Sequence, residues 1–211
     1  LLASFGHGTR ALYDRYFDLA VRHGERLPSA PPYVVAANHA SHLDTPAILA
    51  AVAEARGPEA ARALHALGAR DYFFDSAIKG WFFSTFLNVV PIEREEASLA
   101  GLRLVRRILE NGESVLIFPE GTRQELDAPP DYKPGIAAMY KDLNLPVTPV
   151  ALNTGLIWKP KGIMRSPGTV TMKILPPIPA GLSREDFMQR LESVIETESQ
   201  ALLPPDKRRT V

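Results

Sequence analysis

The chain has 211 residues, 45% of them apolar and 23% charged, with Lys plus Arg and Asp plus Glu balanced at 24 each. That is the composition of a soluble globular protein with a sizeable core, and the absence of net charge excludes a field that recruits nucleic acid. There is no Cys, which excludes thiol catalysis, disulfides and thiolate metal sites, and no run reaches the roughly 20 apolar residues of a membrane-spanning helix.

Nothing at the start resembles a signal peptide, and with Leu1 where an initiator Met would stand the chain is expected to be a trimmed protein or an excised domain. Residues 1–20 are predicted to hold an amphipathic helix, with Leu12, Tyr13, Tyr16, Phe17 and Leu19 as its apolar stripe. Tyr33 to Ala37 reads as a buried strand, Leu43 to Ala55 as a helix stopped by Gly57-Pro58, and Ala63 to Ala69 as a second strand. Ile78 to Leu87 is short and almost wholly apolar, containing Trp81, Phe82, Phe83 and Phe86, and Val89 to Ile92 is a further strand. Ser98 to Asn111 has helical periodicity and ends at Asn111-Gly112. Ser114 to Phe118 reads as a strand, Gly135 to Leu143 as a helix, Val147 to Leu152 and Thr169 to Leu175 as strands. A last helix spans 183–202, with Ser183 to Asp186 as a capping box. This alternation implies an α/β fold, one domain over 1–211, with a mostly parallel mixed sheet flanked by helices.

Two polar segments follow two of these strands. Asn38-His39-Ala40-Ser41-His42-Leu43-Asp44 follows the first, and Phe118-Pro119-Glu120-Gly121-Thr122-Arg123 follows the fourth. In a parallel sheet both emerge at the carboxyl edge, where open α/β sheets place their sites. Four residues separate His39 from Asp44, and a chain that turns there brings a carboxylate against an imidazole, giving a base with a fixed tautomer. The same residues satisfy two other patterns. Ser41 to Asp44 is a passable capping box, with Asp44 favourable at a helix start, and His39, His42 and Asp44 are possible metal ligands. His42 reads best as a solvated or supporting residue. In the second segment Gly121 permits close backbone approach, Thr122 offers a hydroxyl and Arg123 can grip a phosphate bidentately; the plainer reading is a turn with a surface Arg.

Together these segments resemble the glycerolipid acyltransferases of the 1-acylglycerol-3-phosphate acyltransferase type. The His-x4-Asp and Glu-Gly-Thr-Arg blocks stand intact. The middle block, Asn88 to Arg94, keeps the terminal Arg94 but lacks the family's leading Gly, and Leu145-Pro146-Val147-Thr148-Pro149-Val150 matches the fourth block. All four lie in order within the motif-bearing core, 33–152. The resemblance implies the family's fold and transfer of a fatty acyl group from acyl-CoA or acyl carrier protein to the hydroxyl of a lysophospholipid, first 1-acylglycerol 3-phosphate giving phosphatidate and, as the nearest alternative, glycerol 3-phosphate or another acceptor, with His39 as general base oriented by Asp44. It places Asn38, Arg94, Glu120, Gly121, Thr122, Arg123 and Lys133 with the acceptor, Asn38 by positioning the loop. It implies no metal and no other cofactor.

Acyl substrates call for an apolar slot, for which Trp81 to Leu87 is a candidate wall or interface patch, ordinary core being the alternative. Lys159, Lys161 and Arg165, with Lys207-Arg208-Arg209, are candidates for anionic headgroups, or else a solvated loop and a frayed tail. The resemblance further implies work at a membrane surface, on the cytoplasmic face, peripherally or through an anchor outside this chain. Different classes remain beside it: an acyl-thioesterase using water, and a non-catalytic lipid-binding module.

Overall fold

The computed structural model describes residues 17–69, 81, 87–92, 99–161 and 166–209. Seven strands form one sheet: β1 (Phe17–Arg22), β2 (Val34–Ala37), β3 (Leu64–Ala69), β4 (Val89–Ile92), β5 (Ser114–Ile117), β6 (Val147–Leu152) and β7 (Gly168–Ile174). Their spatial order is β1-β7-β6-β2-β5-β3-β4. Every neighbouring pair is parallel except β6 with β7. The principal helices are α1 (Asp44–Arg56), α2 (Pro58–Arg62), α3 (Leu99–Glu110), α4 (Gly135–Leu143) and α5 (Arg184–Ala201).

The central strands are short and apolar on both faces, as parallel strands covered by helices must be. Their alternation divides the core in two. Val35, Ala37 and Leu116 pack with Ile48 and Val52 of α1 on one face. Val34, Ala36, Val115 and Ile117 pack on the other with Val105 and Leu109 of α3, Ile136 and Tyr140 of α4, and Phe187, Leu191 and Ile195 of α5. In α5 the buried residues recur every fourth position, through Phe187, Leu191, Ile195 and Ser199, the spacing that lines one helix face. Each such apolar side chain contributes about 1.5–3 kcal/mol of transfer free energy. The α5 cap forms as the sequence predicts: Ser183 Oγ accepts from the Asp186 amide at 3.0 Å and donates to its carboxylate at 2.7 Å. α3 ends where Gly112 takes φ +79°, and the Glu113 amide then reaches the Ile108 carbonyl at 3.1 Å.

Two expectations need correction. The N-terminal helix over 1–20 does not extend through Phe17 to Ala20. Residues 17–22 form edge strand β1, paired parallel with β7 from Phe17 opposite Gly168 to Arg22 opposite Lys173. Leu19 and Val21 pack towards the core while Asp18 and Arg22 face solvent. That is a period of two, and it satisfies the free edge of β7, so tertiary pairing overrides the helical stripe. Residues 1–16 lie outside the described residues. The second correction concerns the tail. Arg208 Nε donates to the Leu203 carbonyl at 2.9 Å, at the end of α5, and Arg209 pairs with Glu196. These two arginines are tied to the helix instead of fraying.

Candidate active site

β2 lies between β6 and β5, and all three run parallel, with Ala36 opposite Ile117 and Ala37 opposite Val150. Their carboxyl ends therefore deliver three loops to one edge: 38–43 from β2, 118–123 from β5, and the turn at Asn153–Leu156 from β6. Asn38 sets the first loop against its neighbour. Its amide donates to the Leu152 carbonyl at 3.0 Å and accepts from the Leu152 amide at 2.8 Å. With both polar ends so engaged and the residue buried, Asn38 ties the loop to the end of β6.

His39 and Asp44 meet. Nδ1 of His39 lies 2.7 Å from Oδ2 of Asp44, and the ring stacks on Phe118 with centroids 4.1 Å apart. Asp44 is fully buried. Its Oδ2 also accepts from the amides of Ala40 and Ser41, each at 2.9 Å, and its Oδ1 takes a hydrogen bond from the Thr154 hydroxyl. The carboxylate thus has four donors, which is how a buried charge is satisfied. Both readings of Asp44 hold together, since the residue that braces the first turn is the one that holds the imidazole. Ser41 Oγ caps Leu43 instead of Asp44, accepting from its amide at 3.1 Å. With Nδ1–H directed at Asp44, the lone pair of neutral His39 resides on Nε2, and the side chain keeps 16% of its surface open.

The second segment is welded to the first. Glu120 Oε1 accepts from the His39 amide at 3.1 Å, and the Gln124 amide donates to the His39 carbonyl at 2.8 Å. Gly121 takes φ +67°, and Lys133 Cγ lies 3.6 Å from where a Cβ would be, so Lys133 sits beside this turn. The Lys133 amide holds the Pro119 carbonyl at 2.8 Å and its ammonium pairs with Asp131. Thr122 is exposed. Arg123 reaches His42 of the first segment, with Nη1 2.8 Å from Nε2. The structure thereby brings together Asn38, His39, Asp44, Glu120, Gly121, Thr122, Arg123 and Lys133. Arg94 and Arg165 lie outside the described residues, as does most of the aromatic run; of that run, Trp81 is 62% exposed. Among the described residues no three His, Cys, Asp or Glu side chains gather as a metal site, and His42 turns to Arg123.

Sequence reading assigns no part to Thr154, because a threonine 110 positions from Asp44 carries no local signal. Phe118 is visible in the motif, but its stacking on His39 is a property of the sheet. Gly155 has a readable consequence. A Cβ there would stand 2.8 Å from Leu126 Cδ2 and 3.1 Å from Ala40 Cβ, so Gly155→Ala turns the Leu126 side chain aside and presses by a few tenths of an ångström on Ala40, whose amide holds Asp44. We expect a loss of about 1–3 kcal/mol together with reduced turnover, checked by thermal melts and steady-state rates.

Glu120 is a second unusual carboxyl. Burial is the main cause that pushes it up to about 8, opposed by its backbone hydrogen bonds and reinforced by nearby Glu196 and Asp44. Its Oε2 has no partner among the described residues. It borders a cleft of about 30 Å³ lined also by Gln124, Glu125, Glu196 and Arg209. Because the folded pKa exceeds the unfolded one, the unfolded chain loses this proton first. Stability is therefore full below pH about 4.5 and falls as pH rises towards about 8. Glu120→Gln keeps the acceptor for the His39 amide, so the melting-temperature difference (variant minus wild type) should grow across that window and level off above it. A difference flat with pH would contradict the assignment.

A family model described as Acyltransferase matches residues 18–153. Among curated proteins, a 1-acyl-sn-glycerol-3-phosphate acyltransferase of Pseudomonas aeruginosa is 35% identical over 100 residues, 46% of this chain and 38% of that protein. The human 1-acyl-sn-glycerol-3-phosphate acyltransferase beta is 30% identical over 175 residues, 79% of this chain and 58% of that protein. The mouse alpha form is 26% identical over 82% of this chain and 60% of its own length, so this chain spans between 38% and 60% of these three relatives. The crystal structure of the 1-acyl-sn-glycerophosphate acyltransferase from Thermotoga maritima superposes with a TM-score of 0.74 at 24% identity, covering 95% of this chain and 79% of that one, which shows the shared fold.

Proposed function

This chain belongs to the acyltransferase family, and on that premise we propose that it transfers a fatty acyl group from a thioester donor, acyl-CoA or acyl carrier protein, to the free hydroxyl of 1-acylglycerol 3-phosphate, giving phosphatidate. The observation that carries this reading is the His39–Asp44 pair at 2.7 Å, beside a turn that ends in Arg123.

The acceptor hydroxyl donates to Nε2 of His39. As its oxygen attacks the thioester carbonyl, the proton passes to Nε2, and the buried Asp44 carboxylate stabilises the imidazolium. The tetrahedral intermediate collapses by breaking the carbon–sulfur bond. The departing thiolate, whose parent thiol has a pKa near ~8.5, takes the proton back from Nε2. The new ester and a free thiol leave, and His39 is neutral again, so no redox group or metal enters the balance. The amides of His39, Ala40, Ser41, Gly121 and Gln124 are each engaged within the loops, so the donors to the oxyanion lie elsewhere. Arg123, Thr122 and Lys133 would hold the acceptor phosphate, and Arg94 would join them.

No helix among the described residues is long and apolar enough to cross a membrane. Work on an amphipathic acceptor calls for contact with a lipid surface, and we propose peripheral association at the cytoplasmic face, or attachment through a segment outside this chain. Incubation with a long-chain acyl-CoA and a panel of acceptors tests the reading: lysophosphatidate, glycerol 3-phosphate, lysophosphatidylcholine and monoacylglycerol. Fastest product formation with lysophosphatidate is expected. Preference for an acceptor without a terminal phosphate would overturn the assignment.

A further inference from the structure

His42 is not required by the base or by its carboxylate partner, yet it occupies a defined place. It stands two residues before Asp44, and its ring carries contacts from two other loops. Arg123 Nη1 lies 2.5 Å from its Nδ1 and 2.8 Å from its Nε2, so the guanidinium lies against the imidazole. The Trp158 ring packs on it with centroids 5.0 Å apart and planes tilted by 41°. Residues 42, 123 and 158 come from the loops after β2, β5 and β6, the same three strands that build the base.

We propose that His42 is a positioning residue for Arg123, a neutral imidazole wedged by Trp158 that holds the guanidinium in place for the acceptor phosphate. This rests on the reading of Arg123 as a phosphate ligand. A protonated imidazole would repel the guanidinium at this distance, whereas a neutral ring offers a lone pair to an N–H and leaves the Arg123 charge intact. The groups facing His42 favour the neutral form. Although the residue is exposed, partial loss of hydration beside its neighbours has the largest effect, the charge of Arg123 acts in the same direction, as does His39 when protonated, Asp44 alone opposes them, and together they push His42 down to about 4. An arginine ordered before its ligand arrives spares the ligand the cost of ordering it, so the contact belongs in acceptor affinity and not in the proton-transfer step.

The test pairs a titration with kinetics on the full chain. With nitrogen-15-labelled histidines, the His42 ring should titrate well below pH 6.5 in wild type, and Arg123→Gln should raise its midpoint. His42→Phe keeps a ring against Trp158 but removes the acceptor. It should raise KM for lysophosphatidate by about tenfold with kcat within about twofold, and His42→Gln, which retains an acceptor, should recover most of the loss. An unmoved midpoint in Arg123→Gln overturns the proposal even if a His42 variant fails to fold. So does a fall in kcat at unchanged KM. A wild type with the Arg123-dependent titration but without acceptor-dependent turnover would instead sink the functional reading, and with it the acceptor role of the pair, while the contact itself stood.

Discussion

Replacing His39 with Ala is expected to lower acyl transfer by about 10²–10⁴-fold, the range of a positioned general base, while the fold is retained. The main-chain contacts that lock the loop do not involve the side chain: the His39 amide donates to Glu120 and its carbonyl accepts from Gln124. An Ala at 39 keeps both. What it removes is the imidazole stacked on Phe118, which keeps 16% of its surface open and carries the proposed base. Measuring kcat at saturating acceptor beside a thermal melt separates the two consequences. A rate within about threefold of wild type would remove His39 from the chemistry.

Asp44→Asn is expected to cost about 10²-fold or more in rate and only about 1–2 kcal/mol in stability. The asymmetry follows from the four donors around the carboxylate. An asparagine can turn its carbonyl to His39, Ala40 and Ser41 and its amide to Thr154, whose hydroxyl then accepts instead of donating. The bracing of the first turn survives, but the charge that stabilises the imidazolium does not. Asp44→Ala removes the acceptor altogether and strands buried donors at about 1–3 kcal/mol each, so its melting temperature should fall well below that of Asp44→Asn. A rate for Asp44→Asn equal to wild type would leave the residue as a helix brace alone.

The parts of this molecule that can be read in the sequence are those specified locally. The strand at Val147–Leu152 and the helix at Gly135–Leu143 appear with the predicted bounds, because apolar runs and periodicity are properties of the segment itself. The His39–Asp44 contact is legible for the same reason, the two residues sharing one turn. β1 was not legible, because its apolar stripe has two interpretations and only the exposed edge of β7 decides between them. The placing of Thr154 on Asp44, Phe118 on His39 and Trp158 on His42 was not legible either, since it depends on β2 lying between β5 and β6. Glu120 shows the limit most clearly. Its motif suggests an acceptor contact, and burial with the His39 amide on Oε1 adds a second part that the motif does not show, bracing the loop that carries His39.

Thiol release from a long-chain acyl-CoA, followed with and without lysophosphatidate and matched to the lipid product, tests the central claim most directly. Acceptor-dependent release with phosphatidate formed in equal amount is the predicted result. Release at the same rate without acceptor, with free fatty acid as product, would mean that water and not a lipid hydroxyl meets Nε2 of His39, and would contradict the account.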